Sequence, residues 1–131
     1  IGVVSDDLIA IKRHGKWGYC DYNIKLKIPY NFETVEHFIN DLAIVKRDGF
    51  YGIINKKGSE VIETKYESIT YFENELLLVK ENGLVGVINL KKEIVLPIQY
   101  AKIEFSSDKK LIRVYSEHSF EYLKNELTLI E

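Results

Sequence analysis

The chain has 131 residues, 46% of them hydrophobic and 29% charged, and its 18 Lys plus Arg against 20 Asp plus Glu leave a formal charge of -2. That length and apolar share suit one folded domain or a stretch of repeat array and exclude wholesale disorder, while the charge balance gives no drive toward nucleic acid or anionic lipid. A lone Cys20 excludes an internal disulfide scaffold, and no apolar run approaches the ~18 residues of a spanning helix.

The sequence repeats with an offset of 34 residues. Leu8-Ile9-Ala10-Ile11-Lys12 aligns with Leu42-Ala43-Ile44-Val45-Lys46 and with Leu76-Leu77-Leu78-Val79-Lys80. Gly15, Gly49 and Gly83 share one column, and Gly18, Gly52 and Gly86 another. Asp21, Asn55 and Asn89 match, as do Ile28, Ile62 and Leu96, then the aromatic column Phe32, Tyr66 and Tyr100, then Val35, Ile69 and Ile103. The domain organisation expected is a single repeat array: 1–7 as the tail of a preceding repeat, repeats at 8–41, 42–75 and 76–110, and a degenerate capping repeat at 111–131. Ile1 falls in the Val35 column and is not Met, so the chain is expected to be cut from the C-terminal end of a longer array. Its compartment stays open.

In chain order, each repeat opens on an apolar strand, such as Leu42 to Arg47. Asp48-Gly49 follows, and Asn82-Gly83 in the third copy. Both dipeptides predict a two-residue hairpin turn, whose central residues take positive φ. The register that results sets Val45 opposite Gly52 and Ile44 opposite Ile53, with apolar side chains on both faces, so each hairpin is expected between neighbours. Asn55-Lys56-Lys57-Gly58 predicts a type I turn. A third strand follows, as Glu60-Val61-Ile62 or Ile94-Val95-Leu96. Pro29 and Pro97 share the next column, so that strand is an edge strand or ends there. From Phe32, Tyr66 or Tyr100 to the next Leu, apolar residues are spaced by three, which predicts an irregular connector. The second glycine is expected to leave room for a large side chain of the adjacent repeat, with the Phe32, Tyr66 and Tyr100 column as the candidate. The fold class expected is all-β: a tandem array of three-stranded antiparallel meanders in a solenoid-like or partial-propeller stack. The fourth copy starts at Leu111 after one extra residue near Ser106-Ser107, with His118 and Glu121 at the glycine columns.

Gly15-Lys16-Trp17-Gly18-Tyr19, then Asp21, Ile28-Pro29 and Phe32, resembles the WG (KWG) repeat of bacterial proteins. The second copy resembles it through Leu42-Ala43-Ile44-Val45, Gly49, Gly52, Asn55, Gly58, Val61-Ile62, Tyr66 and Phe72. The third keeps Gly83, Gly86, Asn89, Val95-Leu96-Pro97 and Tyr100. Tyr51, Val85 and Phe120 stand where the first copy has Trp17. The resemblance implies a β-rich module in tandem arrays and carries over no catalytic residue.

Catalytic and metal chemistry finds little purchase. His14, His37, His118 and Cys20 lack metal-ligand spacing, and Cys20 aligns with Ile54 and Ile88, a buried-strand column. The Gly-x-x-Gly triplets read as a turn glycine and a strand glycine, not as a phosphate loop, which needs a helix N-terminus. No cofactor and no catalytic or metal residue is expected. Candidate ligand-binding residues are Trp17 and Tyr51, which suit stacking on a sugar or packing on a protein, and the constant column Lys12, Lys46 and Lys80. Against this, the Trp17 column drifts to Val85, as a packing position tolerates, and lysine stems cover apolar surface at strand ends. The expected role is a non-catalytic scaffold that binds a protein or other macromolecule, with neither nucleic acid nor membrane insertion. A carbohydrate or cell-wall binding module and a purely structural spacer are the alternatives.

Overall fold

A computed structural model describes residues 8–71, 76–105, 111–116 and 119–124. The expected tail 1–7, Phe72, the Ser106-Ser107 insertion and His118 lie outside them. The described residues form fourteen strands in four small antiparallel sheets, with no helix among them.

The first sheet is β1 (Ile9–Arg13), β2 (Lys16–Cys20) and β3 (Leu26–Phe32) in sequential order. The second adds β4 (Thr34–Val35) before β5 (Leu42–Arg47), β6 (Phe50–Asn55) and β7 (Glu60–Tyr66). The third repeats that order with β8 (Ser68–Tyr71), β9 (Leu76–Glu81), β10 (Leu84–Asn89) and β11 (Ile94–Tyr100). The fourth contains β12 (Lys102–Phe105), β13 (Leu111–Tyr115) and β14 (Phe120–Lys124).

Each hairpin has the register its turn dictates: Val45 lies opposite Gly52 and Ile44 opposite Ile53. His14 and Gly15, Asp48 and Gly49, and Asn82 and Gly83 all have φ between 52° and 87°, as a type I′ turn requires. Ala43, Ile44, Val45, Ile53 and Ile54 are all buried, so both faces of this hairpin are covered.

The connector differs from its expected irregular form. It runs as a short strand antiparallel to the first strand of the next repeat: Val35 pairs with Val45, Ile69 with Val79 and Ile103 with Val114. In the second sheet the return is a second tight turn, Asn40-Asp41, with φ of 52° and 69°, closed by backbone hydrogen bonds between Ile39 and Leu42. Asn and Asp accept the left-handed region without glycine. Sheet boundaries therefore fall one connector earlier than the sequence repeat suggests.

The second glycine also differs from expectation. A Cβ on Gly52 would lie 2.6 Å from Ile62 O and 2.8 Å from Thr64 Cα, both in the third strand of the same repeat. Gly18 and Gly86 meet Ile28–Pro29 and Ile98 in the same way. The cause is a bulge. Tyr51 pairs with Tyr66 and Ile53 with Ile62, so Glu63, Thr64 and Lys65 oppose Gly52 alone. Pro29 and Pro97 occupy this bulge on edge strands, where a missing N–H costs no ladder bond, and the strand continues past them.

The chain divides into two compact units, residues 1–66 and 67–131. In the first, one core joins Tyr19, Ile28, Phe32 and Phe38 of the first repeat to Ala43, Val45 and Ile54 of the second. The Tyr19 and Phe38 rings meet edge to face at 4.8 Å. In the second, Leu76 and Val87 share a core with Ile103, Ile112 and Val114. Copies thus supply one another's interior, at roughly 1.5–3 kcal/mol for each large aliphatic side chain fully buried.

Candidate functional site

The two-residue turn fixes the second cross-strand pair of each hairpin, and the candidate columns meet there. Lys12 lies opposite Trp17, Lys46 opposite Tyr51 and Lys80 opposite Val85. The Lys12 Nζ stands 5.8 Å from the Trp17 ring centre, and the Lys46 Nζ 5.6 Å from that of Tyr51. Each contact is a cation–π pair, worth about 0.5–1 kcal/mol at an exposed site. Lys80 has no ring opposite it. In the fourth sheet the same place holds Tyr115 and Phe120, with ring centres 5.8 Å apart.

Trp17 and Tyr51 are half-buried. Trp17 packs against the core of the first unit, and Val85 packs likewise in the second. This column therefore closes the rim of the core while leaving part of each ring in reach of solvent. His14 and His37 are exposed, and Cys20 is a buried thiol.

The sequence matches the family described as WG containing repeat over residues 17–49, 51–84 and 86–115. The chain belongs to the WG-repeat family. No curated protein matches it. Two solved structures share part of its backbone path. A crystal structure of a eukaryotic initiation factor is 11% identical, with a TM-score of 0.49, and the match covers 91% of this chain and 37% of that one. A chain from the S. cerevisiae complex of Dbp5 with Nup159, Gle1, IP6 and ADP is 12% identical, with a TM-score of 0.48, covering 98% of this chain and 45% of that one. The chain spans less than half the length of either.

Two polar columns of these WG repeats hold their turns. The Oδ1 of Asp21, Asn55 and Asn89 each accepts two backbone N–H bonds from the turn that follows, at 2.9–3.1 Å. The Lys25 N–H, foremost among these and nearby charges, holds the Asp21 carboxyl below its usual range. The second column was not read from the sequence. The Gly49 N–H donates to Glu33 Oε1 at 2.7 Å, and the Gly83 N–H to Glu67 Oε1 at 3.2 Å. Glu33 and Glu67 also donate their backbone N–H to the Lys46 and Lys80 carbonyls. Their identity at the 34-residue offset was the available signal.

Two clusters are particular to one repeat. Arg47 pairs with Glu60, and both bond Thr64. In the fourth sheet the Tyr115 hydroxyl donates to Glu104 Oε1 at 2.5 Å and accepts from Arg113 Nη1 at 2.9 Å, with Lys102 3.4 Å from Glu104 Oε2. The Tyr115 hydroxyl, then Lys102 and Arg113, hold the Glu104 carboxyl below the usual range against partial desolvation. On β13, Ile112 and Val114 are buried while Arg113 and Tyr115 alternate with them, so one face meets the core and the other is polar. Neither cluster recurs at equivalent columns, which is why repeat alignment did not expose them.

Proposed function

We propose that the chain is a non-catalytic WG-repeat module that binds a protein or another macromolecule over an extended surface. The observation that supports this most is the lysine-over-ring pair beside the hairpin turn, present at the same place in two consecutive repeats with both rings half-buried. Phe50 and Leu84, exposed and one residue before Tyr51 and Val85 in their strands, project to the opposite face of their hairpins, where each forms a separate apolar surface. Aromatic and cationic groups side by side are the chemistry of protein-binding hot spots.

The test is crosslinking mass spectrometry with the chain and with a Lys12→Glu, Lys46→Glu, Lys80→Glu variant. A partner crosslinked near these hairpins, then bound at least tenfold more weakly by the variant in calorimetry, supports the reading. Equal binding by both chains, or no partner near the hairpins, defeats it. A carbohydrate ligand is the second reading, favoured by the partly accessible ring of Trp17. Trp17 fluorescence unchanged by every glycan in an array would remove it.

A further inference from the structure

Asn82 is the one asparagine in the sequence that a glycine follows. That pair is chemically labile, because glycine has no side chain to shield its nitrogen and bends easily toward the amide ahead of it. The Gly83 nitrogen attacks the Asn82 Cγ, an N–C bond closes a five-membered imide, and the side-chain nitrogen leaves as ammonia. Water then opens the imide at either carbonyl and gives aspartate or isoaspartate. Asn55 and Asn89, by contrast, precede Lys56 and Leu90, and the Oδ1 of each is committed to two backbone N–H groups.

Asn82 and Gly83 are the central pair of the third hairpin, with φ of 54° and 80°, and both are exposed. A Cβ on Gly83 would meet nothing within 4 Å, so water and hydroxide reach the reacting atoms. Two features of the fold hold the reaction back. In a type I′ turn the nitrogen after the first central residue points away from that residue's side chain, so the turn must open before the Gly83 nitrogen meets Asn82 Cγ. That nitrogen must also give up its proton to attack, and its N–H donates to Glu67 Oε1 at 3.2 Å. A hydrogen bond to the protonated form and a negative charge beside it both oppose loss of the proton. Glu67 is itself tied to this hairpin. Its backbone N–H donates to the Lys80 carbonyl at 2.8 Å, and behind it Ser68 pairs with Lys80 and Ile69 with Val79. The lock on the turn is thus the start of β8 laid along β9.

The product undoes that lock. An acid at position 82 adds a negative charge to a turn that already has Glu81 next to it and Glu67 against it. Isoaspartate also puts one extra atom into the backbone of a loop built for two residues. Charge and length then part the Gly83 N–H from Glu67, and β8 loses the anchor at its start.

We propose that Asn82 is a spontaneous modification site, converted to aspartate and isoaspartate at a rate set by the Glu67 contact with Gly83. The conversion is a clock on the opening of the third hairpin and, once run, loosens β8 from β9. It stands apart from the binding role proposed above.

The test is peptide mapping by mass spectrometry of the full chain aged in neutral buffer, beside the same chain held unfolded in guanidinium chloride. In the unfolded chain, conversion at Asn82 should exceed that at every other asparagine. In the folded chain it should run at least tenfold slower, because it proceeds only through the opened turn. Glu67→Ala should raise the folded rate at least fivefold, while Glu33→Ala, which removes the equivalent contact from Gly49, should leave it unchanged. In the isoaspartate form, separated by ion exchange, the Glu67 amide should exchange its hydrogen faster and the Glu33 amide should not. A faster asparagine elsewhere in the unfolded chain, equal rates for folded and unfolded chains, no effect of Glu67→Ala, an equal effect of Glu33→Ala, or an unchanged Glu67 amide in the isoaspartate form overturns the proposal.

Discussion

Ile24 occupies the fourth position of the turn that follows β2, where the second repeat has Gly58 and the third Lys92. All three have positive φ, between 62° and 84°. For a β-branched residue this region costs roughly 1–2 kcal/mol, and Ile24 is 77% exposed, so packing offsets little of it. Ile24→Gly should therefore stabilise the chain by about 0.5–1 kcal/mol after the entropy of a glycine is counted, read as a higher urea midpoint with unchanged slope. Tyr19 gives a pH dependence. Its hydroxyl donates to the Glu36 carbonyl at 2.7 Å inside the core. Burial, and then the Glu36 carboxylate, push the phenol well above its ordinary pKa of 10.0. The raised value stabilises the fold at every pH below the unfolded pKa, and that stability drains as pH rises past it. Stability should fall above pH ~10, and the fall should be shallower in Tyr19→Phe, which itself costs about 1 kcal/mol at neutral pH. Alkaline unfolding curves of the two chains check both statements.

At the scale of the element, two glycines three residues apart do different work. Gly49 has φ of 87° and open space around it, so alanine there meets backbone strain alone. Gly52 faces the bulged backbone of β7, which cannot move aside as a side chain tip does. Gly49→Ala should cost about 1 kcal/mol and Gly52→Ala about 3 kcal/mol or more, measured by chemical denaturation. A larger loss at Gly49 would contradict the bulge account. The turn at Gly49 was legible because Asp-Gly has one common use between apolar runs. The bulge was not, although Pro29 and Pro97 in one column marked it: sequence shows that a strand is interrupted, but the residue opposite the interruption emerges only from pairing. The connector strands escaped for a related reason. Thr34-Val35 is extended because β5 offers it hydrogen bonds, and an apolar spacing of three carries no trace of a partner that lies ten residues onward. Asn40-Asp41 is a type I′ turn without glycine, a weaker cue than Asp48-Gly49.

Across the whole molecule, the repeat and its apolar columns were plain in the sequence, because burial constrains every copy alike. The candidate site was legible in part. The lysine and aromatic columns were visible, but their meeting across the hairpin followed only from the register. The central claim is that one repeat lacks an interior of its own. The core of the first unit draws on both repeats, and Gly58 of the second lies 3.3 Å from Ile28 of the first at its Cβ position. About 1–2 kcal/mol of ordering entropy per residue stands against what a single meander buries. The most direct measurement is the fold of residues 8–41 alone against residues 8–66, by amide NMR dispersion and thermal unfolding. The account predicts a collapsed, undispersed spectrum without a transition for the shorter fragment, and a dispersed spectrum with cooperative unfolding for the longer. A dispersed, cooperatively melting fragment of residues 8–41 would contradict it.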